Sequence, residues 1–266
     1  MSRWVDLVYE LVRKNLKVRY SGFLPGLFWS FFFPFLTVGI FYIVFSIVLK
    51  VKVEEAPFLL YLMTSIFTWQ FFRDSLTASV TSLFDNKNLI RESSFPHWLI
   101  PLSIIFTNMI NFIPSLFVTV IVSLLVLKGL PLAIIFLPLV MFAHICLITG
   151  LSVALSILYV RWRGIKHALE ACLAVLFYLT PAFYSIRLIK AASPSLLYNL
   201  YTYNPFTGML NLYRIVLLKG FYAAIKGDVG FSAVFIVPAG FSIAALILGF
   251  FYYNKKRKTI NDFLSY

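Results

Sequence analysis

Long apolar runs separated by short polar stretches set the reading of this chain. About 20 apolar residues in a helix suffice to cross roughly 30 Å of hydrocarbon. Six such spans are expected, at about Leu27–Leu49, Phe58–Phe84, Leu99–Leu127, Leu132–Tyr159, Ala168–Ile186 and Val229–Tyr253. A barrel would show shorter segments of alternating polarity. Ahead of the first run, Ser2–Tyr20 has helical spacing, with Trp4, Leu7, Val8, Leu11 and Val12 on one face. Asp6, Glu10, Arg13, Lys14 and Lys17 take the other face, acids first and bases last, as the helix dipole favours. Glu10 and Lys14 have the spacing of an i,i+4 pair. Such a helix lies on a membrane surface rather than through it, and Gly22, Pro25 and Gly26 end it.

Two polar or irregular stretches interrupt the apolar pattern in informative ways. Asp85–Leu102 is charged and falls between the second and third spans, so it belongs outside the bilayer. Within it Asn88, Leu89, Ile90, Arg91 and Glu92 suit one or two helical turns, Pro96 stops them, and Phe95 and Trp98 are amphipathic anchors. Between spans five and six, Ser193-Pro194 and Asn204-Pro205 each read as an N-cap followed by proline at the first helical position. They predict helices at about Pro194–Tyr201 and Pro205–Leu218. The second is apolar yet only about 20 Å long, too short to cross, so a re-entrant hairpin is expected. Small residues at Gly150, Ser152, Ala154 and Ser156 let a neighbouring helix approach span four closely. Pro114 marks a kink in span three, and Lys128-Gly129-Leu130-Pro131 a tight turn.

Composition agrees with this pattern. Of 266 residues 61% are hydrophobic and only 12% charged, with a mean hydropathy of +0.90, whereas soluble domains carry about 25% charged residues. No cleavable leader pattern is expected in Met1–Gly26. The net charge of +13 is explained by basic clusters between spans rather than by nucleic acid. Those clusters (the first segment, the Asp85–Leu102 loop, Arg161 to Lys166, and Lys255 to Lys258) fall on one side and mark it as cytoplasmic. Six spans then place both termini inside. The chain reads as one unit: residues 1–26 interfacial, 27–253 the spans, 254–266 a cytoplasmic tail.

The chemistry of an enzyme is missing from the sequence. Among ten carboxylates only Asp74 and Glu170 reach membrane depth, so neither a coupled-carrier pathway nor a clustered magnesium site is expected. His97, His144 and His167 are scattered, and His144 reads as a packed or hydrogen-bonded residue. Cys146 and Cys172 match no metal or redox spacing and read as buried inert thiols. No phosphate-binding glycine loop occurs, so the chain does not hydrolyse ATP alone. Aromatic residues are abundant instead, 29 Phe and 15 Tyr. Phe35 and Tyr42 in span one, and Phe177, Tyr178, Phe183 and Tyr184 around span five, are candidates for lining a conduit. Such faces stack on sugar rings without fixing them in place.

Four stretches together resemble one family: KNLKVRY at 14–20, FFRDSLTASVTSLFDNKNLIRESSFPHWLIPLS at 71–103, YVRWRGIKHALEACLAVLFYLTPAFYSI at 159–186 and YNPFTGMLNLYRIVLLKG at 203–220. In order and spacing they are similar to the membrane subunit of ABC-2-type exporters of polysaccharides such as O-antigen, capsule and teichoic acid. The resemblance implies an all-α polytopic permease, a homodimer of twelve spans with two separate ATPase subunits in the inner membrane. This chain would hold no cofactor of its own, ATP and magnesium belonging to the partner subunit. It implies a coupling helix at Asn88, Leu89, Ile90, Arg91, Glu92, Phe95 and Pro96, although Phe95-Pro96-His97-Trp98 departs from relatives, which often carry a charge after the proline. It also implies a channel outlet capped by the hairpin of Asn204, Pro205, Tyr213 and Arg214, and lipid-linked polysaccharide as cargo. Arg13, Lys17 and Arg19 are candidates for its head group or for lipid. An ABC-2 exporter of small hydrophobic drugs or lipids, and a passive channel or scaffold without an ATPase, are the alternatives.

Overall fold

The computed structural model describes residues 3–20, 24–92, 95–192 and 195–264. They form helices joined by short turns, with no strand among them. The first helix, α1 (Arg3–Tyr20), carries Asp6 in its first turn and Lys17 and Arg19 in its last. Helix α2 (Leu24–Phe41) continues as a π-helical segment, Tyr42–Val48. Then come α3 (Phe58–Asp85), the short α4 (Lys87–Glu92) and α5 (Leu99–Leu127). A 3-10 turn at Leu132–Phe136 leads into α6 (Leu137–Arg161). Among the described residues three segments are long and apolar enough to cross a membrane by length and composition: Leu99–Leu127, Leu132–Arg161 and Ser232–Arg257, with a shorter apolar helix at Phe32–Val48. Helix α3 has 28 residues but carries the Arg73–Asp74 ion pair, 2.9 Å, and a buried column of Thr64, Ser65, Thr68, Ser75, Ser79 and Ser82.

The expected fifth span differs most from the structure. Helix α7 (Ile165–Tyr178) has 14 residues, about 21 Å of rise. It stops because Pro181 has no amide proton to donate and disfavours the helix conformation before it. The chain runs through a non-helical bend and resumes as α8 (Ile186–Ala192), α9 (Ser195–Thr202), α10 (Pro205–Leu217) and α11 (Phe221–Ile225). The two helices expected in the hairpin are therefore present as α9 and α10. Asn204 caps α10, its side-chain oxygen accepting from Phe206 N at 2.9 Å. Ser193 and Pro194 lie outside the described residues. A π-helical turn, Ser232–Ile236, opens α12 (Val237–Leu264), which continues through the basic cluster expected to follow the sixth span.

Helices α3, α5, α6 and α12 form the bundle, and α1 lies along α5. The tightest crossing is between α6 and α12. A Cβ built on Gly150 would fall on the backbone of Ala245, and one on Gly249 on the carbonyl of Gly150. His144 is 2% exposed, boxed by Phe71 and Phe72, its Nδ1 3.3 Å from the Tyr213 hydroxyl. Two local expectations are corrected. Glu10 pairs with Arg13, 3.9 Å, rather than Lys14, whose Nζ reaches Asn86 Oδ1 at 3.0 Å. Cys172 is exposed on α7 and Cys146 half-buried, because α7 packs on the bundle along one narrow face, with Leu173 buried.

Candidate functional site

At one end of the bundle α4 sits between α3 and α5. Ile90, 4% exposed, is packed in a small core with Leu83, Ile100, Val153, Ile157 and Tyr253. This core draws on α3, α5, α6 and α12 at once. Phe95 and Trp98 pack against it, and Trp98 meets the Phe250 ring edge-on at 5.3 Å. The His97 amide donates to the Tyr253 hydroxyl, 3.1 Å. Burial lowers the His97 pKa, so its ring is neutral at pH 7. Asn88 and Arg91 face outward, and Leu89 and Pro96 are half-buried. The segment is thus one exposed face on an anchored base, and residues 93–94 lie outside the described residues.

Beside it, α1 is fastened to α5 by three side-chain bonds. Asn15 donates to Ser103 at 3.2 Å, Arg19 to Asn108 at 2.7 Å and Tyr20 to Asn111 at 2.5 Å. They border a cavity of about 550 Å³ lined by Arg19, Trp29, Phe67, Gln70, Asn108 and Asn111 among others. The Asn108 Nδ2 is buried there without a hydrogen-bond partner. Of the three basic candidates only Arg19 enters this cavity; Arg13 and Lys17 are on the exposed side of α1.

The aromatic candidates divide into two sets. Phe177, Tyr178, Phe183 and Tyr184 join Phe41 and Phe45 in one cluster. Phe183 lies 4.7 Å from Phe45, 5.5 Å from Phe41 and 5.7 Å from Phe177. Phe183 is 8% exposed and Tyr178 61%, so Phe183 braces the cluster while Tyr178 presents it. Phe35 pairs instead with Phe67 and Tyr42 with Phe58.

At the opposite end, the bend after α7 exposes backbone carbonyls that a helix would have satisfied. Two side chains supply donors. The Tyr61 hydroxyl reaches Pro181 O at 3.1 Å and Tyr184 O at 2.8 Å. Arg214, 1% exposed on α10, donates to Pro181 O at 2.7 Å, Ser65 Oγ at 2.6 Å and Asn211 Oδ1 at 3.1 Å. Its guanidinium stacks over the Tyr61 ring, 3.5 Å from the centroid. Pro205 and Tyr213 share α10 with it, Tyr213 fully buried.

A charged clasp above this bend was not foreseen from the sequence. Arg187 donates to Asp228 at 2.7 Å and Glu54 at 2.9 Å, and Lys190 to Asp228 at 2.9 Å. Ser185 donates to the buried Glu55. The bonds from Lys190 and Arg187 hold the Asp228 carboxyl below its ordinary value. The one local sign was the three-residue spacing of Arg187 and Lys190, which puts both on one face of α8. Their acidic partners are more than 35 residues away in the chain.

The comparisons with known proteins fit this architecture. The ABC-2 type transporter model matches residues 6–218. An "O-antigen export system permease protein RfbA" of Klebsiella pneumoniae is 29% identical over 218 residues, 81% of this chain and 81% of that protein. One of the same name from Myxococcus xanthus is 24% identical over 216 residues, covering 81% and 82%. With its apolar helices and a family match over most of its length, this chain is a multi-pass membrane protein that belongs to the ABC-2 type transporter family.

Proposed function

We propose that the chain is the channel-forming subunit of an ATP-driven exporter that moves a lipid-linked polysaccharide, such as O-antigen, across the inner membrane. It works as a homodimer with two ATPase subunits, and both termini face the cytoplasm. The observation that carries this reading is the seating of α4. Its Asn88 and Arg91 face is exposed, while Ile90 is locked into a core shared by α3, α5, α6 and α12. A push on the outward face by a docked motor moves four helices together. Packed cores respond to such a push by shifting between discrete arrangements rather than by yielding locally.

The remaining roles follow from chemistry and position. Tyr178 and its neighbours present aromatic surface on the shortened α7, suited to sliding contact with sugar rings. The cavity at Arg19 and Asn108 offers a guanidinium, amides and rings, with the Asp74 carboxylate in its lining paired to Arg73, and is suited to the phosphate and first sugar of a carrier lipid. The α9–α10 hairpin, a re-entrant element, closes the outer exit, and six crossings result when α2 with its π-helical extension, α3 and α7 span together with the three long apolar segments.

The test substitutes Leu89→Asp, or Arg91→Glu, in the chain co-expressed with its neighbouring ATPase and reconstituted in vesicles. Export is expected to fall at least about tenfold, a loss of about 1.4 kcal/mol or more in coupling. Stimulation of ATP hydrolysis by the membrane subunit falls with it. Wild-type stimulation and export in both variants would remove α4 as the coupling element.

A further inference from the structure

A second cavity, of about 710 Å³, lies between α6, α10 and α12, near the end opposite α4. Phe136, Val140, Ala143, Ile215, Phe235 and Ala239 are typical of its walls. Small side chains on facing helices leave the space, and Gly220, at φ 84°, turns the chain sharply out of α10 to form one edge. Ser242 and Tyr222 carry the hydroxyls among the lining residues, and that of Ser242 donates to Pro238 O at 2.7 Å. The walls carry no charge and are apolar apart from these two hydroxyls and the Cys146 thiol. The groove opens beside Leu132, Ile135, Leu139 and Ile243, all strongly exposed, on segments long enough to cross a membrane. A groove so placed on spanning segments opens toward hydrocarbon.

Two cations mark one end. Lys128 and Lys219 are both exposed, and each is next to the groove edge formed by Pro131, Leu218 and Gly220. Their turns touch: a Cβ built on Gly129 would lie 3.5 Å from the Lys219 ammonium. No acidic partner is recorded for either lysine among the described residues, and the groove lining contains no carboxylate. Paired lysines at the edge of a hydrocarbon-facing groove complement a phosphate at the head-group level.

We infer that this groove binds one anionic phospholipid, an acyl chain between α6 and α12 and its phosphate on Lys128 and Lys219. The site is apart from the α4 lever and the aromatic face, and it stands whether or not the cargo is a glycan. The lipid fills space that the side chains leave open and wedges α10 against α6 and α12.

The test uses full-length protein stripped of lipid in detergent and titrated with phosphatidylglycerol or phosphatidylcholine, read by native mass spectrometry and thermal midpoint. Phosphatidylglycerol is expected to be retained at about one per chain and to raise the midpoint more than phosphatidylcholine. In Lys128→Asn/Lys219→Gln, affinity for phosphatidylglycerol falls about fivefold per lysine and the preference over phosphatidylcholine disappears. Asparagine is chosen because Lys128 has φ 50°, which it tolerates. Ala143→Trp, which fills the groove, abolishes retention of both lipids. Unchanged retention and preference in the lysine double variant would overturn the assignment, whether or not Ala143→Trp folds. So would a Phe136→Cys cross-link between two chains with no lipid retained, which would make a second copy the occupant.

Discussion

Arg214 is a charged side chain almost wholly enclosed, and its environment explains why it is tolerated. It supplies donors to a stretch of backbone that has left the helix, while Tyr61 shares the carbonyl of Pro181 and offers its ring to the cation. Non-helical backbone at membrane depth survives only where protein satisfies it. In Arg214→Met the Pro181 and Ser65 acceptors lose that donor, at about 1–3 kcal/mol for a buried group left unsatisfied. The thermal midpoint in detergent should drop by several degrees, whereas the exposed Arg13→Met should leave it unchanged; equal midpoints would refute the role. Asp228 makes a different kind of prediction. Its folded pKa lies below the ordinary 3.8, first through the bond from Lys190 and then through that from Arg187. Its contribution is therefore complete above pH 3.8 and is lost as the pH falls through the lower folded value. Hydrogen exchange in α8 should stay flat from pH 8 to about pH 5 after correction for intrinsic rates. The same correction should reveal opening only in stronger acid, and Asp228→Asn should show that opening at all pH values.

At the scale of the helix, the crossing of α6 and α12 depends on two positions without side chains. Gly150→Val or Gly249→Val inserts atoms where backbone already stands, and small-residue crossings are the means by which apolar helices associate in lipid. Either variant should elute as aggregate or yield a broadened peak in gel filtration, while Gly164→Ala, with open space around it, should elute as wild type. The small residues of α6 were visible in the sequence because their spacing is regular; their partner Gly249 was not, since a lone glycine has no period. The long helices were legible for the same reason: hydrophobicity over 25 or more residues leaves little choice. Helix α10 was legible through its Asn204-Pro205 start. The end of α7 had one sign, Pro181, which the reading of an apolar run passed over, and the bend it starts is stabilised by Tyr61 and Arg214, distant in sequence. Asp228 and Glu54 stayed invisible as partners of Arg187 for the same reason.

Taken whole, the molecule has the anchored α4 at one end and the bend held by Arg214 at the other, joined by α3, which touches both. Leu83 packs in one core with Ile90, so α3 runs from the α4 seat to the Ser65–Arg214 bond at its far end. Aromatic exposure on α7 gives a prediction at this scale. In a variant lacking Cys146 and Cys172, a single cysteine at Tyr178 should react with small hydrophilic thiol reagents in assembled transporter, and one at Ile247, 62% exposed on α12, should not. Equal protection would place Tyr178 against lipid and leave the conduit elsewhere. The bend at Pro181 also constrains how the polypeptide is made. The segment is synthesised some thirty residues before the arginine that completes its hydrogen bonds, so a nascent chain halted ahead of position 214 has only Tyr61 to stabilise it in the bilayer. The insertion machinery must shelter α7 until α10 emerges from the ribosome, and biogenesis of this protein acquires a fixed order that its final fold no longer displays.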